Sequence, residues 1–182
     1  MEASIESVPL RERTGALTHK HRQLTLLGET VAVGEPAPDA ELRALDQSEA
    51  FLHDYAGKVR LISVVPALDT YICDLQTKRF NEEAANLGDD VVVMTISAEH
   101  PYNQRRWCGA TGVERLVVLS DHMDMSFGRA YGTWIKEYRL NQRSVFVVGR
   151  DGVLTHVEYV PEIAQHPDYE AALAAARAAL TN

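Results

Sequence analysis

Two strand-length apolar runs separated by a helix-length stretch constrain this chain more than any other feature. Residues 59–65 read Val-Arg-Leu-Ile-Ser-Val-Val, and residues 91–97 read Val-Val-Val-Met-Thr-Ile-Ser. Continuous, β-branched runs of this length mark strands that are covered on both faces. Between them, residues 73–87 place Leu75, Phe80, Ala84 and Leu87 near one helical stripe, and Gly88 stands where the helix should stop. Strand, helix, strand in that order is a βαβ unit, which implies parallel pairing.

The remaining segments extend this unit. Pro101 starts a second helix, which includes Cys108 and stops at Gly109 or Gly112. Residues 116–119 form a short strand, and residues 126–131 a helical turn ended by Gly132. Residues 145–148 and 153–157 flank Asp151-Gly152, the strongest hairpin signal in the chain. An alanine-rich helix follows Pro167, with Asp168 complementing its positive end, and runs through residue 180. Upstream, residues 24–27 and 30–33 flank Gly28-Glu29 and predict a hairpin. Pro36 and Pro38 force an extended connector, residues 41–45 suit a short strand, and residues 51–56 a turn or helix closing at Gly57. A βαβ half followed by a hairpin and helix is the thioredoxin layout, an α/β fold, here with an N-terminal β-hairpin extension. Residues 1–20 have little periodicity and predict a mobile N-terminal arm, leaving residues 21–182 as one domain.

Charge and composition narrow the function classes. The formal net charge is −8 with no basic tract, which disfavours nucleic acid and anionic membrane as partners. No apolar run approaches the roughly 20 residues of a membrane span. The first twenty residues have no apolar segment of the secretory kind, and only two cysteines are present. A cytoplasmic location is therefore expected, where a disulfide is more often catalytic than structural. Of seven histidines only His19 and His21 are close in sequence, so no metal site or other cofactor is expected.

The chemistry centres on Cys73, directly after the first apolar strand and at the start of the helix. The unsatisfied amide end of a helix carries about half a positive charge, which favours thiolate, the reactive form of cysteine. On position alone, Cys73 is either such a reactive thiol or a plain buried cysteine. Thr70, three residues earlier, suits a helix N-cap or a hydroxyl donor to the sulfur. Pro66 either ends the strand or packs over a pocket. Arg143 precedes the apolar strand at 145–148, as a solvated arginine or as the cation a thiolate needs. Cys108 lies 35 residues beyond Cys73, which is neither a Cys-x-x-Cys nor a zinc spacing. It is either ordinary core beside Trp107 or a second redox thiol.

Pro66-x-x-x-Thr70-x-x-Cys73 resembles the peroxidatic-cysteine loop of the peroxiredoxins. Val64-Val65-Pro66-Ala67-Leu68-Asp69-Thr70 resembles the atypical two-cysteine thiol peroxidase subfamily. Further ordered similarities include Gln76-Thr77-Lys78-Arg79-Phe80, Leu119-Ser120-Asp121, Phe127-Gly128-Arg129-Ala130-Tyr131-Gly132 and His166-Pro167-Asp168-Tyr169. The similarity spans roughly residues 21–180. It implies a peroxidase in which Cys73 is oxidised by hydrogen peroxide or an organic hydroperoxide and Cys108 resolves the sulfenic acid as an intramolecular disulfide. It also implies that Thr70, Arg143 and Pro66 line the site, that a thioredoxin-like dithiol is the reductant, and that the chain forms a homodimer through aromatics in residues 127–138. Tyr71 departs from the family pattern, where a small residue or proline is common, and is expected to narrow the entrance or line an apolar pocket. A non-catalytic redox sensor using the same cysteine pair is the alternative; rapid turnover distinguishes the two.

Overall fold

The βαβ unit forms as its pattern requires. In the computed structural model, which describes residues 9–181, β1 (Glu12–His19), β2 (Arg22–Leu27), β3 (Glu41–Arg43) and β4 (Glu49–Phe51) precede a 3-10 turn at Leu52–Tyr55. The unit itself is β5 (Val59–Val64), α1 (Tyr71–Leu87) and β6 (Val91–Ser97). There follow α2 (Pro101–Thr111), β7 (Val117–Ser120), α3 (Ser126–Tyr131), β8 (Trp134–Ile135) and β9 (Leu140–Asn141). The chain closes with β10 (Ser144–Val148), β11 (Leu154–Tyr159) and α4 (Tyr169–Ala179). β5 and β6 run parallel, from Val59 opposite Val91 to Val64 opposite Ile96, and β7 adds a third parallel strand. The large sheet has the order β11-β10-β5-β6-β7-β3-β4, so the strand leading to Cys73 lies in its interior, beside the central β6.

Strand periodicity sends alternate side chains to opposite faces. Val59, Leu61, Val91, Val93, Val145 and Val147 form one face, packed against Phe80 and Leu87 of α1 and Ala172, Leu173 and Ala176 of α4. Ile62, Val64, Met94, Ile96, Phe146 and Val148 form the other, covered by Phe127 and Tyr131 of α3 and by Leu42, Ala50 and Leu52. Phe80 is fully buried with its ring edge-on to Tyr169 at 5.4 Å. Truncating such a residue to alanine costs about 3–5 kcal/mol.

A second sheet, β1-β2-β8-β9, packs Leu17, Leu24, Leu26 and Ile135 into its own small core. It is tied to the segment after β11 by Thr18 N–H to the Pro161 carbonyl at 2.9 Å and Ile163 N–H to the Thr18 carbonyl at 3.0 Å.

Several expectations change. Residues 12–19, assigned to a mobile arm, are strand β1; residues 1–8 of that arm lie outside the described residues. β1 was hidden because only Leu17 of this strand is buried, so its apolar alternation is nearly absent. The hairpin therefore joins β1 to β2 through Lys20 and His21, both at positive φ, rather than residues 24–27 to 30–33. Gly28 instead ends β2 at φ +95°. In α1 the buried positions are Cys73, Gln76, Thr77, Phe80 and Leu87, while Leu75 is 36% exposed. Polar Gln76 and Thr77 face inward, which no hydrophobic stripe reveals. Phe127 and Tyr131, expected at a surface between copies, are fully buried in the main core. The 151–152 hairpin, the α2 stop at Gly112 and the Asp168 cap, which accepts Ala171 N–H at 3.0 Å, match expectation.

Candidate active site

β5 runs on past its last residue, since Val65 N–H still bonds the Ile96 carbonyl at 3.0 Å. The chain then turns, with Thr70 N–H reaching the Ala67 carbonyl at 3.1 Å, and α1 begins. Thr70 has extended backbone angles, φ −93° and ψ 151°, which suit an N-cap residue. The first intrahelical bond runs from Asp74 N–H to the Thr70 carbonyl at 2.9 Å. Tyr71, Ile72 and Cys73 therefore present their amides at the positive end of the helix.

Cys73 is fully buried at this end. The Thr70 hydroxyl does not cap the helix but lies 2.9 Å from Cys73 Sγ, and 2.8 Å from the Ala67 carbonyl. Its single proton serves one acceptor at a time. Arg143, only 1% exposed, places Nη2 at 3.4 Å from the sulfur. Its guanidinium is fixed by Nη1 donating to Gln76 Oε1 at 2.8 Å and Nη2 to the Ile163 carbonyl at 2.9 Å. Gln76 is oriented in turn by donating to Ser63 Oγ on β5 at 2.8 Å. The acceptors around Arg143 are neutral carbonyl oxygens and the sulfur.

The sulfur opens into a cavity of about 310 Å³ lined largely by apolar groups, including Pro66, Tyr71, Tyr138, Leu140 and Ile163. Pro66 is buried against it, and Tyr71, 77% exposed, stands at the mouth. Thr70, Cys73, Arg143 and Pro66 thus converge on one cavity. Cys108 does not line it. It sits half-buried on α2, packed against the small cluster of Val65, Leu68, Cys73 and Val118. Both thiols are free. Burial pushes the Cys108 thiol above its ordinary value.

Three residues of the site were not anticipated. Gln76 fixes Arg143 yet looks like any polar residue of a helix. His19 and Tyr138 line the cavity from the small sheet and lie 3.1 Å apart, His19 Nδ1 to the Tyr138 hydroxyl. Nothing local marks them, because only sheet packing brings residues 19, 73 and 138 together. Among the described residues no group of three or more His, Cys, Asp or Glu side chains is arranged to hold a metal ion.

The chain has recognisable relatives among known proteins. The Redoxin family profile matches residues 32–173. The chain is 53% identical over 165 residues to the thiol peroxidase of Halalkalibacterium halodurans, covering 91% of this chain and 99% of that protein. It is 52% identical over 162 residues to the thiol peroxidase of Bacillus subtilis, covering 89% and 96%. Among solved structures, a peroxiredoxin-like protein from Aquifex aeolicus superposes with a TM-score of 0.84 at 29% identity, over 91% of this chain and 98% of that one. A thiol peroxidase from Chromobacterium violaceum shares the fold, with a TM-score of 0.77 at 18% identity over 85% and 91%.

Proposed function

Because the chain belongs to the Redoxin family and is a peroxiredoxin-type peroxidase, we propose that Cys73 is the thiol that reduces the peroxide and that Cys108 resolves it. The observation that carries the proposal is the pairing of a hydroxyl at 2.9 Å and an immobilised guanidinium at 3.4 Å on a buried sulfur that opens to a cavity.

The Cys73 thiolate attacks one peroxide oxygen and the O–O bond breaks. Sulfur loses two electrons and becomes the sulfenic acid. The departing oxygen gains those electrons and a proton, leaving as water or an alcohol. Charge thus moves from sulfur to the leaving oxygen, and Thr70 and Arg143 are placed to follow it, which is how donors lower a barrier rather than merely bind. Pro66 offers no N–H and shields this side of the pocket from water. The Cys108 thiolate then attacks the sulfenic sulfur, the S–O bond breaks, hydroxide leaves and takes up a proton as water, and an intramolecular disulfide forms. A dithiol donor of the thioredoxin type restores both thiols by exchange. The cavity volume suits hydrogen peroxide and small organic hydroperoxides, whose carbon chains would lie on Tyr71, Tyr138, Leu140 and Ile163. Exposed Tyr71, Leu75 and Tyr138 support a homodimer formed on this face. The two-cysteine cycle suits a reducing compartment such as the cytoplasm.

Thiol titration after one equivalent of peroxide tests the assignment. Cys73→Ser should show no peroxidase activity. Cys108→Ser should consume one equivalent and then stall. Multi-turnover activity in the Cys73 variant would overturn the proposal.

A further inference from the structure

One carboxylate outside the site is bonded to the supports of both cysteines. Glu99 lies half-buried between β6 and α2. Its Oε2 accepts the Leu68 N–H at 2.8 Å and the Ser97 hydroxyl at 2.8 Å. Leu68 belongs to the loop that delivers Thr70 and Cys73. Its side chain is fully buried in the cluster that contains Cys73 and contacts Trp107 and Cys108. In the other direction, Ser97 Oγ accepts Gln104 Nε2 at 3.0 Å, and Gln104, buried on α2, also donates to the Leu119 carbonyl at 3.0 Å. The Ser120 hydroxyl bonds the backbone carbonyl of Glu99 itself. A line of hydrogen bonds therefore runs from the Cys73 loop through Glu99 and Ser97 to the helix that carries Cys108.

We infer that Glu99 is a positioning residue for peroxide reduction: its carboxylate latches the Cys73 loop in the form that presents Thr70 and the thiol, and the latch opens when Cys73 joins Cys108. This rests on the cysteine roles proposed above. An N–H bonded to a carboxylate is held about twice as strongly as one bonded to a neutral acceptor. A buried Leu68 amide without that acceptor would be left unsatisfied, so the loop would explore other conformations. The same bond resists movement of Leu68 away from the cluster that contains Cys73 and meets Cys108. Space for that movement exists: a cavity of about 340 Å³ lies between loop and helix, lined by Asp69, Glu99, Asn103, Arg106 and Trp107. Burial pushes the Glu99 carboxyl up and the Asp69 charge adds to this, against the opposing bonds from Leu68 and Ser97. The carboxylate is thus kept where solvation disfavours it.

The test uses full-length protein carrying Glu99→Ala or Glu99→Gln. Peroxide oxidation of Cys73 is timed in a Cys108→Ser background, and disulfide formation is timed with both cysteines present. Amide exchange at Leu68 and Ile96 is followed in the reduced state. Glu99→Ala should slow the peroxide step about tenfold and speed exchange at Leu68 by about tenfold or more, the loss expected for one charge-assisted bond. Disulfide formation should be unchanged or faster, and Ile96 should stay protected. Glu99→Gln, whose amide oxygen can accept both bonds, should restore most of the peroxide rate. Equal slowing of both steps with Ile96 deprotected, or unchanged Leu68 exchange, would overturn the latch. The exchange measurement needs no peroxide, so it judges the latch even if Cys73 proved not to be the reacting thiol.

Discussion

At the scale of single residues, the proposed chemistry leans on Arg143 more than on any group but the thiol. A cysteine ionising at the ordinary value near 8.5 is about 3% thiolate at pH 7, so complete ionisation can supply at most about thirtyfold. Removing a preorganised donor from a developing charge costs roughly 10²–10³. Arg143→Ala should therefore slow peroxide reduction by more than its measured loss of thiolate fraction; equality of the two would confine Arg143 to the ground state. The same change strips a partner from Gln76 Oε1 and the Ile163 carbonyl, so a stability loss of about 1–3 kcal/mol should accompany it. Cys108 makes a pH prediction. Only its thiolate attacks the sulfenic acid, and burial holds its proton on to higher pH than usual. Disulfide formation in a single turnover should keep accelerating as pH rises beyond the ordinary thiol range. A plateau at or below that range would show that Cys108 titrates as an ordinary exposed thiol. Cys73, Thr70 and Pro66 sit together in the sequence and Arg143 was named by resemblance; these four line one cavity, whereas Cys108 does not. Gln76 was not legible in the sequence, since its role exists only once Arg143, just ahead of β10, arrives from 67 residues away.

At the scale of elements, the two cysteines sit in intact helices. Cys73 is in the first turn of α1 and Cys108 in the last turns of α2, the first within and the second packed against the cluster that holds Leu68. A disulfide needs Cα atoms closer than about 7 Å. Oxidation should therefore loosen the first turn of α1, the end of α2, or both, and raise their amide exchange while β6 remains protected. Trp107, beside Cys108, should change its emission, read with Trp134→Phe to isolate it. Identical exchange in both helices, with the disulfide confirmed by mass, would mean the thiols are already set for bonding. Element existence was readable wherever an apolar run or a glycine stop was strong, as in β5, β6, α2 and the 151–152 hairpin. It was not readable in β1, β4, β8 and β9, which are short or carry few buried apolar residues and form because partners cover them.

At the scale of the molecule, the small sheet matters because it carries His19, Tyr138 and Leu140 to the cavity. It meets α3 at two glycines with positive φ. Gly132 has φ +66°, its carbonyl accepts the Arg13 side chain, and a Cβ there would overlap the Glu29 carbonyl, lying 2.7 Å from its carbon. Gly132→Ala should therefore destabilise the fold by at least about 1–3 kcal/mol, combining left-handed strain with a backbone contact that no rotamer relieves. Thermal unfolding would measure it, and a midpoint unchanged from the parent protein would show that the junction yields.

By itself the sequence determined the parallel βαβ centre and the placing of Cys73 at a helix start, while the class of chemistry came from the peroxiredoxin resemblance. Apolar period, glycine stops and a helix start are properties of neighbouring residues, and they act wherever the segment is placed. Tertiary structure alone decided that Arg143 faces the sulfur, that Gln76 and Glu99 hold the cation and the loop, and that a strand near the N-terminus walls the cavity. Those contacts join segments tens of residues apart, and their energy appears only when sheet packing has buried the polar groups that must then find one another.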